Sequence, residues 1–130
     1  MRLNFQQLGH GEPLVVLHGL FGSGDHWLSV AARLAGRFRV YTLDLRNHGQ
    51  SPHEAQIDYP LMAADLREFF AAENLDAAML LGHSMGGKVA MRLALEEPSL
   101  VKKLIVADAA PRAYARAHDP IFEALLALDP

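Results

Sequence analysis

Ser84 stands between two glycines in the run Gly82-His83-Ser84-Met85-Gly86, which follows an apolar segment and precedes a helical pattern. A strand that turns this sharply into a helix holds the serine at the apex of the turn, with its hydroxyl exposed. The glycines suit such a turn because larger side chains would collide with neighbouring elements. An incidental serine at a tight turn is the alternative, but the order of strand, motif and helix favours a nucleophile.

The backbone near this serine could also stabilise negative charge. The N–H of Met85 lies at the start of the predicted helix, where unpaired N–H groups and the helix dipole favour an anion. A second glycine-rich loop, residues 18–24, follows an earlier strand. We expect the N–H of Leu20, next to Gly19, to be the second donor of an oxyanion hole. A loop required only for packing is the alternative.

A carboxylate that could complete such a site is Asp108, which follows the last predicted strand. It could orient a catalytic histidine, as the acid of a Ser-His-Asp triad does. The alternative is an aspartate that caps the turn before Pro111. Asp44, at the end of another predicted strand, is a weaker competitor for the role of acid. Asp119 lies too far into the following segment.

The histidines are expected to have structural roles. His18 and His83 flank the reactive loops, and we expect them to hold these loops by hydrogen bonds rather than to act as general bases. His48, with Asp44 and Arg46, is interpreted as a further loop-supporting set. No spacing among the other histidines supports a metal site, so neither a metal nor another cofactor is expected. These other histidines are His10, His26, His53 and His118.

The pattern of strands and helices predicts how these residues are positioned. Strands joined by helices form a parallel, doubly wound α/β sheet, in which sites lie beyond the carboxyl ends of the strands. Apolar or alternating runs predict five strands, at residues 3–8, 14–17, 38–43, 77–81 and 104–107.

Three predicted helices separate the second to fifth strands. The first is expected to begin at an Asp25 cap and to end at Gly36. The second has Pro60 in its first turn and ends before Asn74. The third follows Ser84 and is apolar over most of its circumference, which predicts a centrally buried helix.

Composition narrows the class of protein. The chain has 130 residues, a net charge of −3 and no cysteine. One domain is therefore expected, without disulfides or a cysteine nucleophile. Because there is no run of lysine or arginine, neither nucleic acid nor an anionic membrane is expected as a partner. No apolar signal-peptide core and no run of membrane-spanning length occurs, which predicts a cytoplasmic protein.

Three motifs together resemble the α/β-hydrolase superfamily: residues 18–23, 44–52 and 82–88. The chain is most similar to a bacterial subgroup of esterases that act on short-chain carboxyl esters and acyl thioesters. That subgroup also has a D-x-A-P turn like residues 108–111 and an H-D-x-I-F segment like residues 118–122. The resemblance implies a mostly parallel sheet, a small ester or thioester substrate, Ser84 as nucleophile, Leu20 and Met85 as oxyanion donors, and Asp108 as the triad acid.

The chain departs from that superfamily in one respect. The superfamily places its catalytic histidine after the last strand, whereas the only histidine after Asp108 is His118. Residues 1–111 are therefore interpreted as the amino-terminal part of the hydrolase core and residues 112–130 as the start of a cap. The last strands, most of the cap and the histidine would belong to a carboxyl-terminal remainder, and the fifth strand would be an exposed apolar edge.

The function that follows is hydrolysis of an ester or thioester through an acyl-enzyme on Ser84. Because a serine without a base is a weak nucleophile, a non-catalytic or assembly-dependent module is an alternative. Carbon–carbon hydrolysis or perhydrolysis on the same fold is another, because a fold does not determine the chemistry.

Overall fold

The computed structural model describes residues 1–108. The expected cap at residues 112–130, with His118 and Asp119, lies outside the described residues. The strands are β1 (Phe5–Leu8), β2 (Glu12–Leu17), β3 (Phe38–Leu43), β4 (Ala78–His83) and β5 (Val101–Ala107). The helices are α1 (Leu28–Leu34), α2 (Tyr59–Ala72) and α3 (Met85–Glu96), with short 3-10 turns at Gly24–Trp27 and Pro98–Leu100.

The five strands form one sheet in the order β1-β3-β2-β4-β5. β1 runs antiparallel to β3, and the other neighbours are parallel. The predicted α/β fold with a mostly parallel sheet is thus confirmed. Leu17 is paired with Leu43 on one side and with Gly82 on the other. The carboxyl ends of β2, β3 and β4 therefore lie together at one edge of the sheet.

Helices cover both faces of the sheet. On β2, Val15 and Leu17 pack into the cluster that contains the buried residues of α2 and α3, whereas Leu14 and Val16 pack into the cluster that contains those of α1. This alternation follows from the period of two in a strand. It explains the continuous apolar runs of the central strands, since both faces of each strand are buried.

Several boundaries differ from the predicted ones. β2 begins at Glu12, β4 continues through His83, and β5 begins at Val101. Asp25 is not a helix cap, because it lies within a 3-10 turn and its carboxylate accepts a hydrogen bond from Gln6 at 2.8 Å.

The beginning of α2 combines a confirmed prediction with a missed one. Pro60 lies in the first turn, as predicted. The cap is Asp58, which the sequence analysis did not identify. Its Oδ1 accepts the N–H of Leu61 at 2.8 Å and so pairs a donor that the helix leaves free.

Burial of α3 is less complete than its composition predicts. Val89, Ala90 and Leu93 are buried, but the side chain of Leu95 is 82% exposed. Within residues 1–108, β5 is an outer strand of the sheet, with Leu104 and Ile105 exposed, as expected for an apolar edge. No helix in this part of the chain is long and apolar enough to cross a membrane.

Candidate active site

Ser84 is the single residue between β4 and α3, and its backbone is strained. Its φ of 53° and ψ of −115° lie outside the regions that L-residues ordinarily adopt. The N–H of Ser84 donates to the carbonyl oxygen of Ala107, at the end of β5, at 2.9 Å. Such a conformation persists only where the surrounding structure holds it, and it is typical of functional sites.

The glycines on either side of Ser84 allow this turn because backbone lies directly against them. A Cβ on Gly82 would lie 2.4 Å from the carbonyl oxygen of Gly86. A Cβ on Gly86 would lie 2.3 Å from the carbonyl oxygen of Leu17. No real Cβ approaches a backbone atom so closely, so α3 can begin beside the end of β2 only with glycine at these positions. The collision expected from the sequence is therefore present.

The loop after β2 lies against the serine turn. A Cβ on Gly19 would lie 3.3 Å from the Cβ of Ser84 and 3.1 Å from Nδ1 of His83. Met85 is the first residue of α3, so its N–H has no acceptor within the helix. The structure thus brings together the two loops that supply the predicted oxyanion donors, Leu20 and Met85.

His18 holds the peptide group between Gly19 and Leu20 in one orientation. Its Nε2 accepts the N–H of Leu45 at 2.9 Å, so the proton of the neutral ring is on Nδ1. That Nδ1 donates to the carbonyl oxygen of Gly19 at 2.7 Å, and the N–H of Gly22 donates to the same oxygen at 2.9 Å. Because C=O and N–H point in opposite directions in a trans peptide, the N–H of Leu20 points away from the His18 ring.

The ring of His18 is buried, and this determines its charge. Burial lowers the pKa of His18 to about 4, against the opposing effect of its hydrogen bond to Gly19. The imidazole is therefore neutral at and above neutral pH. The ring of His48 lies beside it, with 5.0 Å between the ring centroids, and Nδ1 of His48 is 2.8 Å from the carbonyl oxygen of Arg46.

Asp44 supports the loops beneath the site. Its Oδ1 accepts the N–H of Gly24 at 2.7 Å, and its Oδ2 accepts the N–H of Gln50 and the side-chain amide of Asn4, each at 2.9 Å. Burial alone would raise the pKa of Asp44, but these three hydrogen bonds outweigh it and hold the pKa below its ordinary value. Because they engage both carboxylate oxygens, Asp44 is poorly placed to act as a triad acid.

Arg46 has a partner that the sequence analysis missed. Its guanidinium binds the carboxylate of Asp65 on α2 through two hydrogen bonds of 2.9 Å, and both side chains are buried. The guanidinium of Arg46 therefore ties its loop to α2, while its carbonyl oxygen lies 2.8 Å from Nδ1 of His48 within the loop. The sequence does contain a signal for this pair. Asp65 directly precedes Leu66 within the buried stripe of α2, and a buried carboxylate requires a partner of opposite charge.

Asp108 lies immediately after β5, next to the serine turn. It has a left-handed backbone, with φ of 52°, and its side chain is 8% exposed. Its Oδ2 is 4.0 Å from Nε2 of His83. His83 in turn lies 5.9 Å, between ring centroids, from Trp27. The predicted acid and the predicted nucleophile thus lie at the same edge of the sheet, and His83 lies close to both.

An open cavity of about 190 Å³ adjoins the loop after β2. Its lining includes the loop residues Leu20 and Phe21 together with His26, Trp27 and His83. Within the described part of the chain, no group of histidine, aspartate and glutamate side chains could hold a metal ion.

Comparisons with known proteins show the family to which the chain belongs. Residues 12–130 match the family model described as alpha/beta hydrolase fold. The chain is 46% identical to the sn-1-specific diacylglycerol lipase ABHD11 of Danio rerio over 109 residues, which are 82% of this chain and 34% of that protein. It is 40% identical to esterase YbfF of Escherichia coli K12 over 134 residues, covering 98% of this chain and 53% of that one.

A solved structure is similar as well. A marine microorganism esterase superposes with a TM-score of 0.85 at 47% identity, over 99% of this chain and 52% of its own. The chain therefore spans between a third and about half of the length of these relatives.

Proposed function

Because the chain belongs to the α/β-hydrolase fold family, we propose that the complete protein is a serine hydrolase that cleaves carboxyl esters or acyl thioesters through an acyl-enzyme on Ser84. The observation that carries this proposal is the contact between the serine turn and the loop after β2. In that contact a strained serine lies beside the loop to which we assign the oxyanion donor Leu20.

Acylation would proceed as follows. The Ser84 hydroxyl attacks the acyl carbon and gives its proton to a histidine, while the carbonyl oxygen becomes an oxyanion held by the N–H groups of Leu20 and Met85. The intermediate then collapses, and the alcohol or thiol leaves with the proton that the histidine returns. Water repeats the sequence on the acyl-enzyme and releases the carboxylic acid.

The fixed orientation of the peptide that carries the Leu20 N–H supports this mechanism. Catalysis by an oxyanion hole requires donors that are already in place when charge develops. Here the hydrogen bonds from His18 and Gly22 hold the carbonyl of Gly19, and with it the peptide that carries the donor. Neither donor depends on a metal or another cofactor.

We assign the acid of the triad to Asp108 and its histidine to a part of the protein outside this chain. Asp108 orients the imidazole, and its position beyond β5 suits that role. The proposal assigns the histidine to a carboxyl-terminal portion outside these 130 residues; its support is that the chain covers only 34% to 53% of the length of two relatives. On this proposal residues 112–130 begin the cap, and the 130-residue chain alone is inactive.

The test is the variant Ser84→Ala in the complete protein, with Ser29→Ala as its control, because Ser29 is an exposed serine on α1. We expect S84A to abolish hydrolysis of p-nitrophenyl acetate and labelling by a fluorophosphonate, and S29A to change neither. Ester turnover by S84A at the rate of the unmodified protein would disprove the mechanism.

A further inference from the structure

We propose that Phe21 and Leu20 form one wall of a subsite for a short apolar acyl chain, with Phe21 as its main determinant of chain length. This inference rests on the proposed function. It begins from the exposure of the two side chains, which is 89% for Phe21 and 57% for Leu20. Large apolar side chains exposed beside a reactive serine are typical of a surface that a ligand or another part of the protein covers.

The backbone at Phe21 makes that exposure more unusual. Its φ of 64° lies in the left-handed region, which is uncommon for a bulky residue. The loop is held in this shape by the 2.9 Å hydrogen bond from the N–H of Gly22 to the carbonyl oxygen of Gly19. An aromatic side chain is therefore held outward, in a costly conformation, on a loop that touches Ser84.

The adjoining cavity indicates the chemistry of the ligand. Its walls are formed by the two apolar side chains, by Trp27 and by histidines, and the residues that line it include no carboxylate, lysine or arginine. An uncharged group suits such walls. Its volume of about 190 Å³ is similar to that of an apolar cavity that accepts a benzene molecule, on the order of 150 Å³. A chain of a few carbons is the group that fits.

The order of the strands favours the acyl chain, rather than the leaving group, as the part of the substrate that occupies this cavity. β2 and β5 lie on opposite sides of β4, which carries Ser84. The leaving group must receive its proton from the histidine that Asp108 orients, on the side of β5. The acyl chain would therefore extend toward β2, the side on which Phe21 and the cavity lie.

The test compares acyl chains at a constant leaving group in the complete protein. We expect Phe21→Asn to lower kcat/KM for p-nitrophenyl hexanoate about tenfold and for p-nitrophenyl acetate less than twofold, because burial of each methylene is favourable. Asparagine tolerates the left-handed backbone. Phe21→Leu should restore most of the preference for hexanoate. The control is Leu95→Ala, which removes an exposed apolar side chain from α3 and should leave the acyl-chain profile unchanged.

Other outcomes separate the possible failures. If hydrolysis depends on Ser84 but F21N leaves the acyl-chain profile unchanged, the subsite is wrong and the proposed function stands. The subsite is also wrong if F21N changes only the rates for a series of alkyl acetates, in which the leaving group varies, or only the rates for micellar substrates. If S84A retains full activity, the proposed function itself fails. Should F21N not fold, Phe21→Gly replaces it, because glycine adopts the same backbone conformation without strain.

Discussion

Nε2 of His18 accepts the backbone N–H of Leu45 at 2.9 Å, which leaves Nδ1 as the donor to the carbonyl oxygen of Gly19. One buried ring therefore connects the end of β3 to the loop after β2. The tautomer required by Leu45 also determines the orientation of the peptide that ends in the Leu20 N–H.

Loss of the His18 ring should impair turnover more than binding. We expect His18→Ala to lower kcat about ten- to a hundredfold with little change in KM, somewhat less than removal of one oxyanion donor, which costs roughly 10² to 10³. His18→Asn can still donate to Gly19 and should recover part of the loss. Steady-state kinetics would measure both, with the exposed His10→Ala as control. A purely structural role would instead lower stability and leave kcat unchanged.

The neutral state of His18 predicts a pH dependence of stability. The folded pKa of about 4 lies below the ordinary value of 6.5, so between these values the unfolded chain binds a proton that the folded chain does not. The stabilising contribution is complete above about pH 6.5 and is lost as pH falls toward 4, with a total of about 3 kcal/mol. Urea unfolding at several pH values should show this slope in the unmodified protein, and H18N should lack it.

Gly86 should not tolerate a methyl group. In Gly86→Ala the Cβ would meet the carbonyl oxygens of Leu17 and His18 at 2.3 and 2.6 Å, so we expect a loss of about 3 kcal/mol or more, at the upper end of the cost of overpacking. The matched control is Gly36→Ala, whose Cβ would have no neighbour within 4 Å. That variant should be neutral or slightly stabilising. Equal melting temperatures for the two variants would contradict the packing described.

The Arg46–Asp65 pair should matter more than any exposed pair. Asp65→Asn leaves a buried guanidinium without its carboxylate, and we expect a loss of about 3 to 5 kcal/mol. Glu96→Gln, which removes an exposed partner of Arg67 and Arg92, should destabilise the protein far less, because solvent screens exposed ion pairs. Urea denaturation of the two variants would measure the difference. A double variant, Arg46→Met with Asp65→Leu, should be less destabilised than D65N, since it leaves no unpaired charge.

Asp108 should be required for turnover but not for folding. We expect Asp108→Asn in the complete protein to lower kcat about 10⁴-fold, as loss of the triad acid does elsewhere. Asp76→Asn, at an exposed position, is the control and should have no effect. Fluorophosphonate labelling should slow in parallel with ester turnover. If D108N retains more than a tenth of the activity, another carboxylate orients the histidine.

The sequence by itself determined the order of the elements and the place of the serine turn. Strand and helix periods, glycines on both sides of Ser84, and apolar runs at the strands are local signals, and the parallel topology follows from their alternation. The end of α2 before Asn74 is also a local signal. Asn74 has a φ of 57°, and asparagine tolerates this left-handed conformation better than most residues.

The tertiary structure decided which side chains meet. Nothing local to Arg46 shows that its partner is Asp65, nineteen residues away on α2, and Asp25 has the residue type of a cap although Gln6 binds its carboxylate. The approach of Gly19 to Ser84 and the bond from Leu45 to His18 also join separate strands. Such contacts depend on the pairing and register of strands, which local propensity does not encode, whereas the turn around Ser84 depends on the backbone freedom of its own residues.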